Sequence, residues 1–332
     1  MFDIKSVNLQ LFAAQMTTTT DLTDEMKTFY EKMLLQSAEP NLVHHQFGEK
    51  YPIPKNGGRT IEFRKFDDLP KNLTKLTEGV TPDGKKMAVN KIEATVGQYG
   101  DYVTLTDVLE LSAIDNVIVE ATRKIGKQGG MTMDTVVRTV LNSGTNVQYF
   151  DGSVASRDAL TGDNKMTVDC IRRAVRTLKN ANAEPREDGY YVAIIHPDVA
   201  YDLTSDPKWE AVKVYDPEDW YRGEIGRIAG VRFVESTEAE KFIKSGANNE
   251  GDSQKQDVYS TLLIGAGAYG VVDVEGANME ILVKNKGSAG TADPLDQRST
   301  VGWKATQTAI ILNQDAMVRI ETASSFNDHV AN

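Results

Sequence analysis

A single cysteine, Cys170, among 332 residues rules out an internal disulfide and any site built on several thiolates. It lies in the helical-looking run "TVDCIRRAVRTLKN", where a core or flanking role is expected. Histidine is nearly as scarce, with only His44, His45, His196 and His329. The adjacent pair His44-His45 would point in different directions on a helix or a strand, which is poor metal geometry. His196-Pro197-Asp198 stands where a strand should give way to a helix, so a helix cap is expected rather than a general base. No serine sits in a G-x-S-x-G elbow and no G-x-x-x-x-G-K-[ST] phosphate loop occurs. The carboxylates Asp206, Asp216, Glu218 and Asp219 crowd around prolines and tryptophans and read as solvated turn residues, not metal ligands. An enzyme reading therefore has no set of residues to stand on. Long apolar runs are missing too, which argues against a membrane span. The N-terminal "VNLQLFAAQM" follows a weakly charged start, with Asp3 beside Lys5, and is not expected to act as a signal peptide; the chain reads as cytosolic when made.

One motif invites a cofactor. In "TLLIGAGAYGVVDV", Gly265, Gly267 and Gly270 have the spacing of a dinucleotide fingerprint, which would make the chain a nicotinamide-dependent oxidoreductase. That fingerprint requires a helix to begin at the glycines so that its N-terminus faces the pyrophosphate. Here Val271, Val272 and Val274 follow, and β-branched alternation predicts a second strand. A glycine turn between two strands is the expected structure, with no cofactor.

Basic charge is also short overall, at a net −11, which gives no support for sequence-reading nucleic-acid binding. Its distribution is uneven. From Glu49 to Glu93 there are ten Lys or Arg against seven Asp or Glu, so this stretch is +3 and the remainder −14. A basic segment on an acidic body suits docking onto a copy of that body.

What is present reads as an ordered series of elements. Residues 1–20 look like a flexible arm, and Met26, Phe29, Tyr30, Met33 and Leu34 then recur at helical spacing up to Pro40, behind Asp21 or Thr23 as cap. Residues 50–104 are rich in turn formers and alternating segments such as "RTIEFRKF", where Ile61 and Phe63 share one face. So much polar β sequence with few apolar anchors predicts a hairpin that projects from the body. Limbs of roughly 20 extended residues would reach on the order of 60 Å. Ile118, Ala121, Ile125, Gly129, Met133, Val136 and Val140 mark one face of a helix of about 25 residues. Its glycines, Gly126, Gly129 and Gly130, predict a bend or a close backbone approach. Residues 165–240 alternate helix and strand, and "MEILVKN", "VGWKATQTAIIL" and "AMVRIETA" read as closing strands.

Several stretches resemble the major capsid proteins of tailed bacteriophages, in particular the coat family typified by the coliphage N-four. They are "YEKMLLQSAEPNLVHHQFGEKYPIPKNGGRTIEFRKF", "LTEGVTPDG", "QYGDYVTLTDVLELSAID", "GEIGRIAGVRFVES", "AYGVVDV" and "ADPLDQRSTVGWKATQTAIIL", in order along nearly the whole chain. The resemblance implies an α+β chain of the Hong Kong 97 type. By position it implies an N-terminal arm (1–48), an extended β loop (49–104), and a peripheral domain (105–160) with a spine helix at about 107–142. An axial domain (161–265) and closing strands of the peripheral domain (266–332) follow. It also implies self-assembly into pentamers and hexamers of an icosahedral head, built in the bacterial cytoplasm around double-stranded DNA held without sequence readout. Portal, scaffolding or decoration proteins would be further partners. Arg59, Ile61, Phe63, Arg64, Lys65 and Lys71 are the candidate subunit-interface residues, basic groups around two apolar anchors. Some shells of this fold carry lysine–asparagine cross-links. Lys71, Lys75, Lys85 and Lys86 lie in the relevant loop, but no buried carboxylate catalyst is assignable and no cross-link is expected. A cellular nanocompartment shell of the same fold is the alternative.

Overall fold

The computed structural model describes residues 24–38, 42–66, 84–112, 116–186, 189–209, 226–248, 254–275, 279–288 and 293–331, together with Leu69, 71–75, 78–79 and Thr81. The arm at 1–20, the caps Asp21 and Thr23, Trp220, and the carboxylates Asp216, Glu218 and Asp219 lie outside the described residues. In chain order the main elements are α1 (Asp24–Ala38), α2 (Val43–Gln46), β1 (Glu49–Ile53), β2 (Thr60–Phe66), β3 (Val89–Thr95), β4 (Gly97–Thr106), α3 (Asp107–Ser112) and α4 (Val117–Leu141). There follow β5 (Val147–Tyr149), α5 (Val168–Asn180), β6 (Tyr191–Ile195), α6 (Pro197–Thr204), β7 (Arg227–Ile228), β8 (Val231–Glu235) and β9 (Lys241–Phe242). The chain closes with β10 (Val258–Ile264), β11 (Tyr269–Val274), β12 (Glu280–Lys284), β13 (Arg298–Ile311) and β14 (Met317–Thr322). It divides into two compact units, one of 1–40, 99–130 and 279–305 and one of 41–98, 131–278 and 306–332.

In the larger unit a seven-stranded sheet runs β5-β14-β10-β6-β8-β7, with β9 added on β10. Its central strands are apolar on both faces, as a sheet covered twice must be. Tyr259 and Leu263 of β10 join a core with Cys170, Ile171, Ala174 and Leu178 of α5 and Val199 and Leu203 of α6. Leu262 and Ile264, one residue out of step, pack instead with Val137 and Leu141 of α4. Burial raises the pKa of the Cys170 thiol, which keeps it inert as a core residue. His196 caps α6 by accepting from the Asp198 N–H at 3.2 Å, with Pro197 in the first turn, as its position in the sequence suggests.

The "GAGAYG" segment is the turn from β10 of this sheet to β11, which pairs in parallel with β1 and antiparallel with the second half of β13. Gly267 adopts φ +64°, and a Cβ at Gly265 would stand 2.9 Å from the Glu184 carbonyl oxygen. These glycines serve a tight, crowded strand-to-strand turn. No helix begins at them, so the geometry a pyrophosphate site needs is not formed.

In the smaller unit α1 packs on the first half of α4. A Cβ at Gly126 would lie 2.7 Å from the Leu34 carbonyl oxygen, and one at Gly130 would lie 2.5 Å from that of Ala38. The helix glycines therefore permit a close approach of two backbones. Leu34, Ala38 and Ile125 are buried there. The expected single helix over 107–142 is instead two, α3 and α4. Asn116 restarts the second: its Oδ1 accepts from the Val119 N–H at 3.3 Å and its carbonyl from the Glu120 N–H at 3.2 Å. The polar trio Asn142-Ser143-Gly144 ends α4, its amides bonding back to Arg138, Val140 and Leu141.

Candidate assembly surface

The basic stretch folds as the expected hairpin, with shorter limbs. β2 and β3 pair antiparallel over seven residues each, about 23 Å of regular ladder rather than 60. Asn56 at φ +65° and Gly58 at φ +89° turn the chain from β1 into β2. Strand alternation then divides the hairpin into two faces. Ile61 opposite Ala94 and Phe63 opposite Ile92 point to the chain's own sheet, where they cluster with Ile53, Val96, Val272 and Ile310. Phe63 meets the Tyr51 ring edge-on at 4.9 Å. Glu62 opposite Glu93 and Arg64 opposite Lys91 take the outward face. Like charges directly across a ladder repel, and Lys91 relieves this by bridging Glu62 at 2.9 Å and Glu93 at 2.5 Å. Hydrogen bonds from Lys91, then from Arg64 at 3.1 Å, hold the Glu62 carboxyl below its ordinary pKa.

Each sequence-derived candidate has a definite place on this frame. Arg59 donates to the Val96 carbonyl at 3.3 Å, and Lys65 donates to Asn313 Oδ1 at 2.8 Å. Ile61 and Phe63 spend their apolar surface on the hairpin's own root. Arg64 stands outward and Lys71 is exposed in the segment beyond β2. The root is thus tied to the body, and the ladder runs on from it to Phe66 and Val89. There Phe66 faces Val89 across the ladder, both exposed, with Leu69, Leu73 and Met87 exposed nearby in the chain. Sequence reasoning passed over these residues. The signal was the recurrence of leucine in "LPKNLTKL", apolar side chains where a solvated loop needs none.

A second surface of this kind lies on the smaller unit. β4 runs close against the first half of β13, where a Cβ at Gly100 would be 2.6 Å from the Trp303 carbonyl oxygen. From its end α3 begins, with Asp107 Oδ1 accepting from the Val108 N–H at 2.8 Å. Tyr102, Val103, Val108, Leu109 and Leu111 are all exposed. Between Lys91 and Arg123 the sequence has no Lys or Arg, whereas Asp101, Asp107, Glu110, Asp115 and Glu120 fall within it.

Several buried titratable groups among the described residues are engaged in holding elements together. Buried Asp134 of α4 accepts from the backbone N–H groups of His44 at 2.7 Å and His45 at 3.2 Å and bonds His44 Nδ1 at 2.6 Å, fixing α2. Buried Glu321 takes both arms of the Arg157 fork at 2.6 Å and Arg319 Nε at 2.9 Å. A cleft of 680 Å³ is lined in part by Asp169, Asp202 and Asp206. Each of these carboxylates is already engaged: Asp169 by Lys208, Asp202 by Ser324 and Ser325, and Asp206 by the Val168 N–H at the start of α5. Among the described residues no group of three His, Cys, Asp or Glu side chains could hold a metal ion, and no helix is long and apolar enough to cross a membrane.

Residues 125–287 match a family model described as phage capsid protein. No curated protein sequence matches the chain. Among solved structures, the capsid subunit of cyanophage Pam1 is similar over 98% of this chain and 100% of its own, with a TM-score of 0.68 at 14% identity. The capsid of Ralstonia phage GP4 covers 84% of this chain and 87% of its own, with a TM-score of 0.63 at 15% identity. A virus-like particle from Pyrococcus furiosus is similar over 88% and 97%, with a TM-score of 0.50 at 12% identity. At such identities the likeness carries the fold, an α+β architecture of the Hong Kong 97 type.

Proposed function

We propose that this chain, a phage capsid protein by family, is the major capsid protein of a tailed phage, whose copies assemble into the head that encloses its DNA. The observation that carries the proposal is the family match over 125–287 inside a chain that shares its fold with phage shells along 98% of its length. Among the described residues, large apolar side chains left exposed on the hairpin and on β4 and α3 suit contact with neighbouring copies. Heterologous contacts between identical subunits would generate pentamers and hexamers and close where the rotation allows. Each contact need not be strong, because many neighbours per subunit add avidity. On this reading the extended loop is 49–104, the axial domain 161–265, and the peripheral domain 105–160 with 266–332. Arg64 and Lys71 are the candidates whose charge is turned outward for a neighbour, while Arg59, Ile61, Phe63 and Lys65 hold the hairpin at the angle that presents it. The acidic balance of the chain would keep packaged phosphate from sticking to the wall. Portal, scaffolding or decoration proteins complete the expected partners in the virion.

Negative-stain microscopy of the protein purified from phage-infected or co-expressing cells tests the assignment. Hollow icosahedral particles are expected; a discrete small oligomer under conditions where a phage head forms would refute it. Likeness to the Pyrococcus furiosus virus-like particle keeps a cellular shell as the second reading. Nucleic acid inside the particles separates the two, since a nanocompartment would hold protein cargo instead.

A further inference from the structure

Among the described residues, β12 ends its sheet with one side unpaired: it joins β13 and no other strand. Such an edge offers backbone donors and acceptors to any strand that approaches, and proteins blunt it with short length, proline or repelling charge. The other strands that end the order of the two larger sheets are blunted in this way. β7 has two residues, β5 has three, and β1 carries Pro52. β12 has five residues, Glu-Ile-Leu-Val-Lys, with neither glycine nor proline. Ile281 and Val283 stand opposite Trp303 and Val301, both buried, on the covered face. Glu280, Leu282 and Lys284 take the other face, where Leu282 is 43% exposed and Glu280 pairs with Lys304 at 3.4 Å. Opposite Leu282 is Gly302, where a Cβ would come within 2.9 Å of the Tyr102 Cβ on β4. Leu282 and Tyr102 therefore lie in one row with only a glycine between them, and both are exposed. Laid antiparallel on a copy of itself, the strand matches at every position: Glu280 meets Lys284, Ile281 meets Val283, and Leu282 meets Leu282. A parallel copy in register would set like charge on like charge at both ends.

We infer that β12 of one copy pairs antiparallel with β12 of a second copy across a two-fold axis at Leu282, continuing the sheet from subunit to subunit. This rests on the shell reading above and adds a contact of different symmetry. Pentamers and hexamers close by heterologous contacts, in which one patch meets a different one. A patch that meets its own copy cannot repeat around such a ring, so the β12 pair ties a subunit of one capsomer to a subunit of the next. The occupant is a second copy because the strand's charges and apolar residues match in antiparallel self-pairing and its charges oppose the parallel one. Backbone hydrogen bonds and the joined rows of Leu282 and Tyr102 hold the two edges together. Glu280 then lies between Lys304 of its own chain and Lys284 of the other, and this alternation of charge fixes the register.

The variant Leu282→Cys tests the axis. Cβ atoms directly opposite across a ladder are about 5 Å apart, and Cys170 is buried and gives no background. Particles of the variant are treated with dibromobimane, a short thiol-bridging reagent, and run on a denaturing gel. A dimer with nothing larger is expected, since an isologous contact consumes the same patch on both partners. Particles that give no dimer, or a ladder of higher species, overturn the pairing and leave the shell reading intact. Unsubstituted protein that builds no particle where phage heads form overturns the reading underneath and the pairing with it. Should Leu282→Cys prevent assembly, Glu280→Cys with Lys284→Cys keeps the apolar centre. That double variant should give dimers and each single variant none, because position 280 of one copy faces 284 of the other; the reverse pattern refutes the register. Charge supplies a further check in the Leu282→Cys background. Glu280→Lys or Lys284→Glu alone sets like charges opposite one another at both ends of the pair and should lower the dimer yield roughly fivefold. The two variants co-expressed restore unlike charges and should recover the yield as mixed dimers. Equal yields in all three preparations count against the contact.

Discussion

Replacing Asp134 by alanine would strand two backbone donors and take away the partner of a buried histidine ring. The carboxylate is fully buried; Oδ1 accepts from the backbone of His44 and His45, and Oδ2 is bonded to the His44 ring nitrogen. A buried donor left without a partner costs about 1–3 kcal/mol, and His45 is only partly buried, so Asp134→Ala should cost roughly 3–5 kcal/mol. Asparagine has the same shape. Its carbonyl oxygen still accepts from the two amides, and its NH₂ can donate to an unprotonated His44 Nδ1, so Asp134→Asn should cost only about 1 kcal/mol. Against a total stability of roughly 5–15 kcal/mol, the first loss is large and the second modest. Urea unfolding of the unassembled subunit, followed by tryptophan fluorescence, resolves the difference: with a slope near 3 kcal/mol/M, the alanine midpoint falls by roughly 1 M or more. Equal midpoints for the two variants, or an alanine variant within about 1 kcal/mol of the parent, would refute the claim that this carboxylate fastens α2 to α4.

Three further outcomes follow from the packing. Gly130→Ala gains about 1 kcal/mol in helix propensity, but its Cβ would press on the Ala38 backbone at 2.5 Å, and overpacking typically costs about 1–3 kcal/mol, so thermal melting should show a net loss. Glu321→Ala leaves Arg157 and Arg319 without their counter-charge and should cost about 3–5 kcal/mol, whereas Arg157→Ala leaves Arg319 on Glu321 and should cost less; denaturation of both variants checks the order. The segment after β14 is held by Asp257 and Asp328. Burial alone would raise the pKa of Asp257, but hydrogen bonds from the His329 ring and from the Lys244 and His329 amides outweigh it and hold it below the ordinary value, while Lys241 lowers that of Asp328. A depressed folded pKa gives stabilisation that is complete above about pH 4 and is lost as pH falls through the folded value. Hydrogen-exchange protection over residues 324–331, taken relative to the intrinsic rate at each pH, should therefore fall below about pH 4, and protection unchanged to about pH 3 would contradict the assignment.

Elements whose period is imposed by a buried face were legible in the sequence. β10, β6 and α5 sit where apolar density and spacing place them, because one misplaced residue would turn a side chain out of the core. The glycine turn at 265–270 was legible for a related reason: valines after Gly270 disfavour the helix that a cofactor would need. The interruption of the 107–142 helix was not, since Asn116 works through a local cap that periodicity does not register. For the candidate interface, alternation correctly put Ile61 and Phe63 on one face. It could not say whether that face met the chain's own sheet or another molecule, which depends on Ile53, Val272 and Ile310, far apart in sequence. The exposed leucines of the tip were hidden by their polar setting.

The charged ladder of the hairpin has a consequence for the protein between ribosome and head. A two-stranded ribbon leaves hydrogen-bonding edges on both sides, an invitation to stack with identical ribbons into fibrils at the concentrations a phage burst requires. Glu62, Arg64, Lys91 and Glu93 line its outward face and make such stacking electrostatically awkward. Neutralising them would be expected to show first as insoluble subunit in the lysate, before any defect in a finished particle.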